Sequence, residues 1–178
     1  MLFTPTRIEG AYILDVELLQ DRRGHFARTF CQKEFEQYGL NSQVVQCSIS
    51  SNNKKGTLRG MHYQLTPSKE TKLVRCTRGA IYDVTIDLRP DSPTYLSHVA
   101  VELTAENNRA LYIPAQCAHG FQTLANNAEV FYQMGDFYQP EYSTGVRYDD
   151  PTFGIEWPLP ISEIAQKDRT WLPYSAFI

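Results

Sequence analysis

The sequence predicts an all-β fold, a sandwich or a barrel, from three observations: short β-branched and aromatic runs recur, turn-forming clusters separate them, and no long helical repeat intervenes. Tyr12 to Leu18 is the first such run, and Asp21-Arg22-Arg23-Gly24 turns the chain after it. Gln32 to Tyr38 reads as a short helix ended by Gly39, with Phe35 and Tyr38 on one face. Val44 to Ile49 and Lys72 to Cys76 are further strands, and Arg78-Gly79 leads into Ala80 to Leu88. In that strand Ile81, Asp83, Thr85 and Asp87 alternate with Tyr82, Val84, Ile86 and Leu88, a pattern that buries one face of a sheet. Arg89-Pro90-Asp91-Ser92-Pro93 breaks the chain before His98 to Leu103, and Ala110 to Ile113 and His119 to Leu124 follow. Ala125-Asn126-Asn127 separates the last of these from Glu129 to Met134. A second short helix is expected at Ser162 to Lys167, capped by Ser162, after the proline-rich Trp157-Pro158-Leu159-Pro160.

With 178 residues, the chain is read as one domain over 1–178. A hydrophobic content of 42% with 21% charged residues excludes a disordered chain, and the longest apolar stretches are too short to span a bilayer. No basic leader with an apolar core opens the sequence, so a cytoplasmic location is expected. Cys31, Cys47, Cys76 and Cys117 are widely spaced, which argues against both a disulfide framework and a zinc knuckle. The net charge of -3 speaks against nonspecific nucleic-acid binding and leaves room for a local cationic pocket that holds a phosphorylated small molecule.

Packing alone does not require the run Gly56-Thr57-Leu58-Arg59-Gly60-Met61-His62-Tyr63-Gln64, which sets a cation, a proton-transfer group and an amide among glycines. His62 takes up and returns a proton near neutral pH, whereas Arg59 stays charged and suits an anion such as phosphate. Lys72 starts a strand, His119 follows an Ile113-Pro114 turn, and Tyr132 lies in an aromatic strand. The mouth of a β-barrel is where such distant segments converge. Each residue has a plainer reading: a histidine bonded to backbone, an arginine paired with a carboxylate, a rim lysine, a core tyrosine. Two histidines without a close second ligand make a thin donor set, and no metal or other cofactor is expected.

Taken together, these residues resemble the dTDP-4-dehydrorhamnose 3,5-epimerase family. The matching pieces are Phe3 to Gly10, Asp21 to Phe26, Gly56 to Gln64, Thr71 to Cys76, Val84 to Arg89, Ile113 to Phe121, Tyr132 to Glu141, Asp149-Asp150-Pro151, Ile155 to Pro158 and Lys167-Asp168. They run in order through nearly the whole chain. The resemblance implies a cupin-type jelly-roll barrel with short peripheral helices and an epimerase of a nucleotide-linked 4-keto-6-deoxy sugar. A C4 ketone acidifies the hydrogens at C3 and C5, so removing one gives an enolate, and returning a proton to the other face inverts that carbon.

By the same resemblance His62 is the base, Asp168 orients it, Tyr132 is the acid on the opposite face, and Lys72 stabilises the C4 oxyanion. Arg23, Phe26, Arg28, Gln46, Ser48, Arg59, His119, Tyr138, Glu141 and Lys167 are the substrate-binding set, with Tyr138 stacking on the nucleobase. Arg28 stands where the family commonly has glutamate, and Cys47-Ser48 where it has an aspartate-asparagine pair, so the nucleobase is open between thymine and cytosine. The resemblance also implies a homodimer whose amino-terminal segments are exchanged. Inversion at C3, at C5 or at both stays open, as do a ketoisomerase and a non-catalytic sugar-nucleotide-binding protein.

Overall fold

The computed structural model describes residues 1–174. Its strands are β1 (Leu2–Pro5), β2 (Tyr12–Asp15), β3 (Leu19–Asp21), β4 (Gly24–Phe26), β5 (Gln46–Asn52), β6 (Thr57–Gln64) and β7 (Lys72–Arg78). They continue as β8 (Ala80–Asp87), β9 (His98–Thr104), β10 (Ala110–Ile113), β11 (Cys117–Thr123), β12 (Ala128–Met134), β13 (Ser143–Gly145) and β14 (Glu163–Ile164). Two short helices are α1 (Gln32–Gln37) and α2 (Gln166–Arg169).

Two six-stranded sheets form a sandwich. One has the order β1-β2-β10-β7-β12-β5, and the other has β13-β6-β11-β8-β9 with β14 added in parallel to β6. Val74, Leu111, Ile113 and Val130 from the first sheet meet Ile81, Val101, Leu103 and Phe121 from the second in the shared interior. Each such side chain contributes about 1.5–3 kcal/mol when removed from water. Behind the first sheet, α1 closes a smaller core by setting Phe35 against Phe3, Leu73 and Tyr112.

Strand β8 departs from the expectation of one buried face. Ile81 enters the shared interior while Val84 and Ile86 face a further core with Met61, Ala118 and Phe153, so both faces are covered. The inward acids survive because they are paired: Asp87 accepts from Arg89 Nε at 2.8 Å, Ser92 Oγ at 2.5 Å and Thr94 Oγ1 at 2.7 Å. The first run ends earlier than expected, at Asp15, because the chain leaves the sheet to form the separate β3–β4 hairpin. The serine-rich β5 extends to Asn52, held in register by β12.

The helix expected at Ser162 to Lys167 is a misreading. Ser162 caps nothing: its Oγ donates to Lys55 O at 2.7 Å and its N–H to Gly56 O at 3.0 Å, which starts β14 along β6. Only Gln166–Arg169 is helical, entered through Ala165.

Candidate active site

Regular alternation would send Arg59 and His62, three residues apart, to opposite faces of β6. Instead His119 pairs with His62 and Phe121 with Arg59, so three steps on β6 answer two on β11. This bulge turns both side chains to the same cavity and sends Met61 into the outer core. Two glycines make it possible. A Cβ on Gly60, whose φ is +141°, would lie 2.5 Å from Gly120 Cα, and one on Gly120 would lie 2.7 Å from Arg59 O.

The cavity is about 810 Å³ and opens between the two sheets. His62 Nε2 lies 2.6 Å from Asp168 Oδ1, joining β6 to α2 across 106 residues. Asp168 Oδ2 accepts from the Gly60 N–H at 3.3 Å. Burial opposes charge on Asp168, but the imidazole and the Gly60 N–H outweigh it and hold the carboxyl below its usual range. An ionised Asp168 keeps the proton on Nε2 and leaves Nδ1 as the basic nitrogen. With 43% of its side chain accessible, His62 is open to a ligand while its partner is not.

Tyr132 comes from the facing sheet. Its ring stands edge-on to His119 with centroids 5.9 Å apart, and Ser48 is its cross-strand neighbour. Burial, reinforced by the Asp83 charge, pushes the phenol far above its ordinary value, so Tyr132 stays protonated near neutral pH. Lys72 is ion-paired to Glu70, which also accepts from Gln64 Nε2 at 2.9 Å. His119 Nε2 lies 2.8 Å from Asp83 Oδ2, and burial raises Asp83 even though His119 opposes that shift. One cavity thus gathers a carboxylate-bonded imidazole, a buried phenol from the facing sheet, and the cations Arg59, Lys72 and Lys167.

The family model described as dTDP-4-dehydrorhamnose 3,5-epimerase matches residues 5–175. The chain belongs to this family. It is 41% identical over 174 residues to dTDP-4-dehydrorhamnose 3,5-epimerase of Methanothermobacter thermautotrophicus, covering 96% of this chain and 93% of that one. The crystal structure of the Bacillus anthracis enzyme with TDP and PPi bound superposes with a TM-score of 0.91 at 36% identity, covering 96% of this chain and 98% of that chain. ChmJ, a 3'-monoepimerase from Streptomyces bikiniensis solved with dTDP-quinovose, gives a TM-score of 0.85 at 32% identity over 92% of this chain and 83% of that chain. The fold is accordingly the cupin-type jelly roll of these dTDP-4-dehydrorhamnose 3,5-epimerases.

Within this epimerase-family chain, His62, Tyr132, Asp168, Lys72, Arg59, His119, Ser48, Tyr138 and Lys167 all line the cavity. Lys167 Nζ rests 5.0 Å from the centre of the Trp171 ring. Gln46 stands back from the cavity and accepts from the Tyr138 N–H at 2.6 Å. Glu141 lies on the exposed single turn Pro140–Tyr142. Arg23 bonds Asp21 within its own hairpin, and Arg28 lies 3.4 Å from Glu34. With Phe26, these residues lie outside the cavity of their own chain.

Sequence reading missed Asp83, Glu70 and Asn52, whose Oδ1 accepts from Arg59 Nε at 2.7 Å. For Asp83 there was a signal, a carboxylate on the same face as Ile81 in a strongly apolar strand. Among the described residues, no three of His, Cys, Asp and Glu cluster to hold a metal ion. Cys76 and Cys117 are buried free thiols, pushed up to about 11 and about 12 by desolvation.

Proposed function

We propose that this chain, acting as one domain, epimerises a nucleotide-diphospho-4-keto-6-deoxy sugar at C3 and/or C5. The favoured reaction converts dTDP-4-dehydro-6-deoxyglucose to dTDP-4-dehydrorhamnose. The observation that carries this reading is that His62 of one sheet, bonded to Asp168 of α2, and Tyr132 of the facing sheet line one cavity. His62 removes the proton α to the ketone, Lys72 stabilises the C4 oxyanion, and Tyr132 protonates the carbon from the other side. Each step moves only protons, so the chemistry calls for no redox cofactor. Arg59 lies near the diphosphate, Lys167 contacts the substrate, His119 positions the sugar, and Tyr138 stacks on the base. The dTDP ligands of the relatives favour thymine, although Ser48 beside Tyr132 carries fewer hydrogen-bonding groups than asparagine.

The same reading includes a homodimer with an exchanged amino-terminal segment. Among the described residues the β3–β4 hairpin pairs only with itself, and it leaves Leu19 69% and Phe26 71% exposed. A lone hairpin with apolar residues in water is marginal, and a second copy of the chain would cover it and bring Arg23, Phe26 and Arg28 to a site. The proposal also keeps the cytoplasmic placement. No helix among the described residues is long and apolar enough to cross a membrane.

The test is incubation in deuterated water with dTDP- and CDP-linked 4-keto-6-deoxyglucose, followed by NMR at C3 and C5. Deuterium entry with inversion at either carbon is expected. Exchange at neither carbon with both substrates would overturn the epimerase reading, inversion at C3 alone would narrow it to a 3-epimerase, and movement of the ketone would identify an isomerase.

A further inference from the structure

The loop that follows β12 carries Phe137 and Tyr138 as exposed aromatics, yet its backbone is held from several directions. Asp136 accepts from Ser68 Oγ at 3.1 Å and from the Lys69 N–H at 3.0 Å. The two N–H groups beyond Phe137 are taken by glutamines from facing sheets. Gln46 Oε1 on β5 accepts from Tyr138 at 2.6 Å, and Gln64 Oε1 on β6 accepts from Gln139 at 3.1 Å. Gln64 is only 4% exposed and uses its other end to donate to Glu70 Oε2 at 2.9 Å. The second Glu70 oxygen holds the Lys72 ammonium. A primary amide suits this place because it accepts from a backbone N–H and donates to a carboxylate at once.

We propose that Gln64 is a positioning residue for Tyr138. It ties the aromatic loop to the Glu70–Lys72 pair, so the base-stacking ring and the ammonium are held at one spacing. Gln46 supports the same loop from the facing sheet with its carbonyl oxygen. The inference rests on the reading of Tyr138 as the base-stacking residue. Its consequence falls on nucleotide affinity more than on the proton-transfer steps.

The experiment uses the full chain and thymidine diphosphate as the probe, titrated calorimetrically into the parent, Tyr138→Ala, Gln64→Met and the double variant, with steady-state kinetics alongside. Tyr138→Ala is expected to weaken binding roughly tenfold, the size of one base–aromatic stack. Gln64→Met should weaken it about fivefold, raising KM with little change in kcat. The double variant should match Tyr138→Ala alone, because the lost interaction is the same one. Parent-like binding by Tyr138→Ala would remove the stacking reading and this inference with it. Weakened binding by Tyr138→Ala with parent-like binding by Gln64→Met, or additive losses in the double variant, would overturn the positioning role alone. Amide exchange gives a second readout: Gln64→Met should speed exchange at Gln139 and leave β8 and β9 protected, and unchanged exchange at Gln139 would overturn the proposal. Should Gln64→Met not fold, Gln46→Met is expected to show the same loss of affinity with faster exchange at Tyr138, and parent values for both would equally overturn it.

Discussion

At His62 the imidazole is bonded through Nε2 to a carboxylate hidden from solvent, while the rest of the ring faces the cavity. His62→Asn is expected to lower deuterium exchange at the substrate carbon about 10²–10⁴-fold with the fold retained, as judged by NMR and circular dichroism. Tyr132→Phe should separate two events that the parent couples: exchange from the His62 face continues, whereas inversion falls at least about a hundredfold. The Asp168 carboxyl sits below its unfolded value, so its contribution to stability is complete above the unfolded value and is lost as pH falls through the folded one. Urea titrations on the acid side should show the parent losing stability more steeply with falling pH than Asp168→Asn. His62, Lys72, Tyr132 and Asp168 were legible through their ordered motifs as residues that meet in one cavity. Asp83 and Glu70 were passed over: Asp83 did share a face with Ile81 in a strongly apolar strand, whereas Glu70, two residues before Lys72, looks in sequence like any solvated acid.

Strand β6 shows what one inserted residue achieves. The bulge opposite Gly120 aims Arg59 and His62 into the same space, and only a backbone without Cβ atoms tolerates the approach of β6 and β11. Gly60→Ala is expected to cost roughly 2 kcal/mol or more, read as a lower urea midpoint, because the new methyl meets backbone at Gly120 rather than a movable side chain. The glycines of this run were visible in the sequence, but their purpose was not, since a bulge is a relation between two strands. The misread helix at Ser162 has the same origin. A capping residue followed by helix-compatible residues is a local signal, and pairing of Glu163 and Ile164 with β6 overrode it.

For the whole molecule, the sandwich brings together residues from β6, β7, β12 and α2 that no local pattern links. Its stability ledger includes acids as well as apolar contacts. Asp87 is wholly buried and held well below the usual carboxylate range, since its bonds to Arg89, Ser92 and Thr94 outweigh the burial that opposes them. Asp87→Asn is therefore expected to cost about 3–5 kcal/mol, the scale of breaking one buried ion pair, in equilibrium unfolding near neutral pH. The exposed β3–β4 hairpin sets a prediction at the same scale. Sedimentation should give a dimer, and inactive Arg23→Ala and His62→Ala chains, once shown to exchange subunits, should recover about one quarter of parent activity on mixing. No recovery would count against a shared site.

The amino-acid sequence by itself determined where most strands lie and which residue types are available for proton transfer, because alternation and turn chemistry act over a few neighbours. Tertiary structure alone decided which of these residues meet. The His62–Asp168 contact, the Asp83 partner of His119, and the clamp of Gln46 and Gln64 on the Tyr138 loop all join distant segments. Their geometry depends on strand register and on one bulge, and those are settled by packing two sheets against a common core rather than by any residue's local preference.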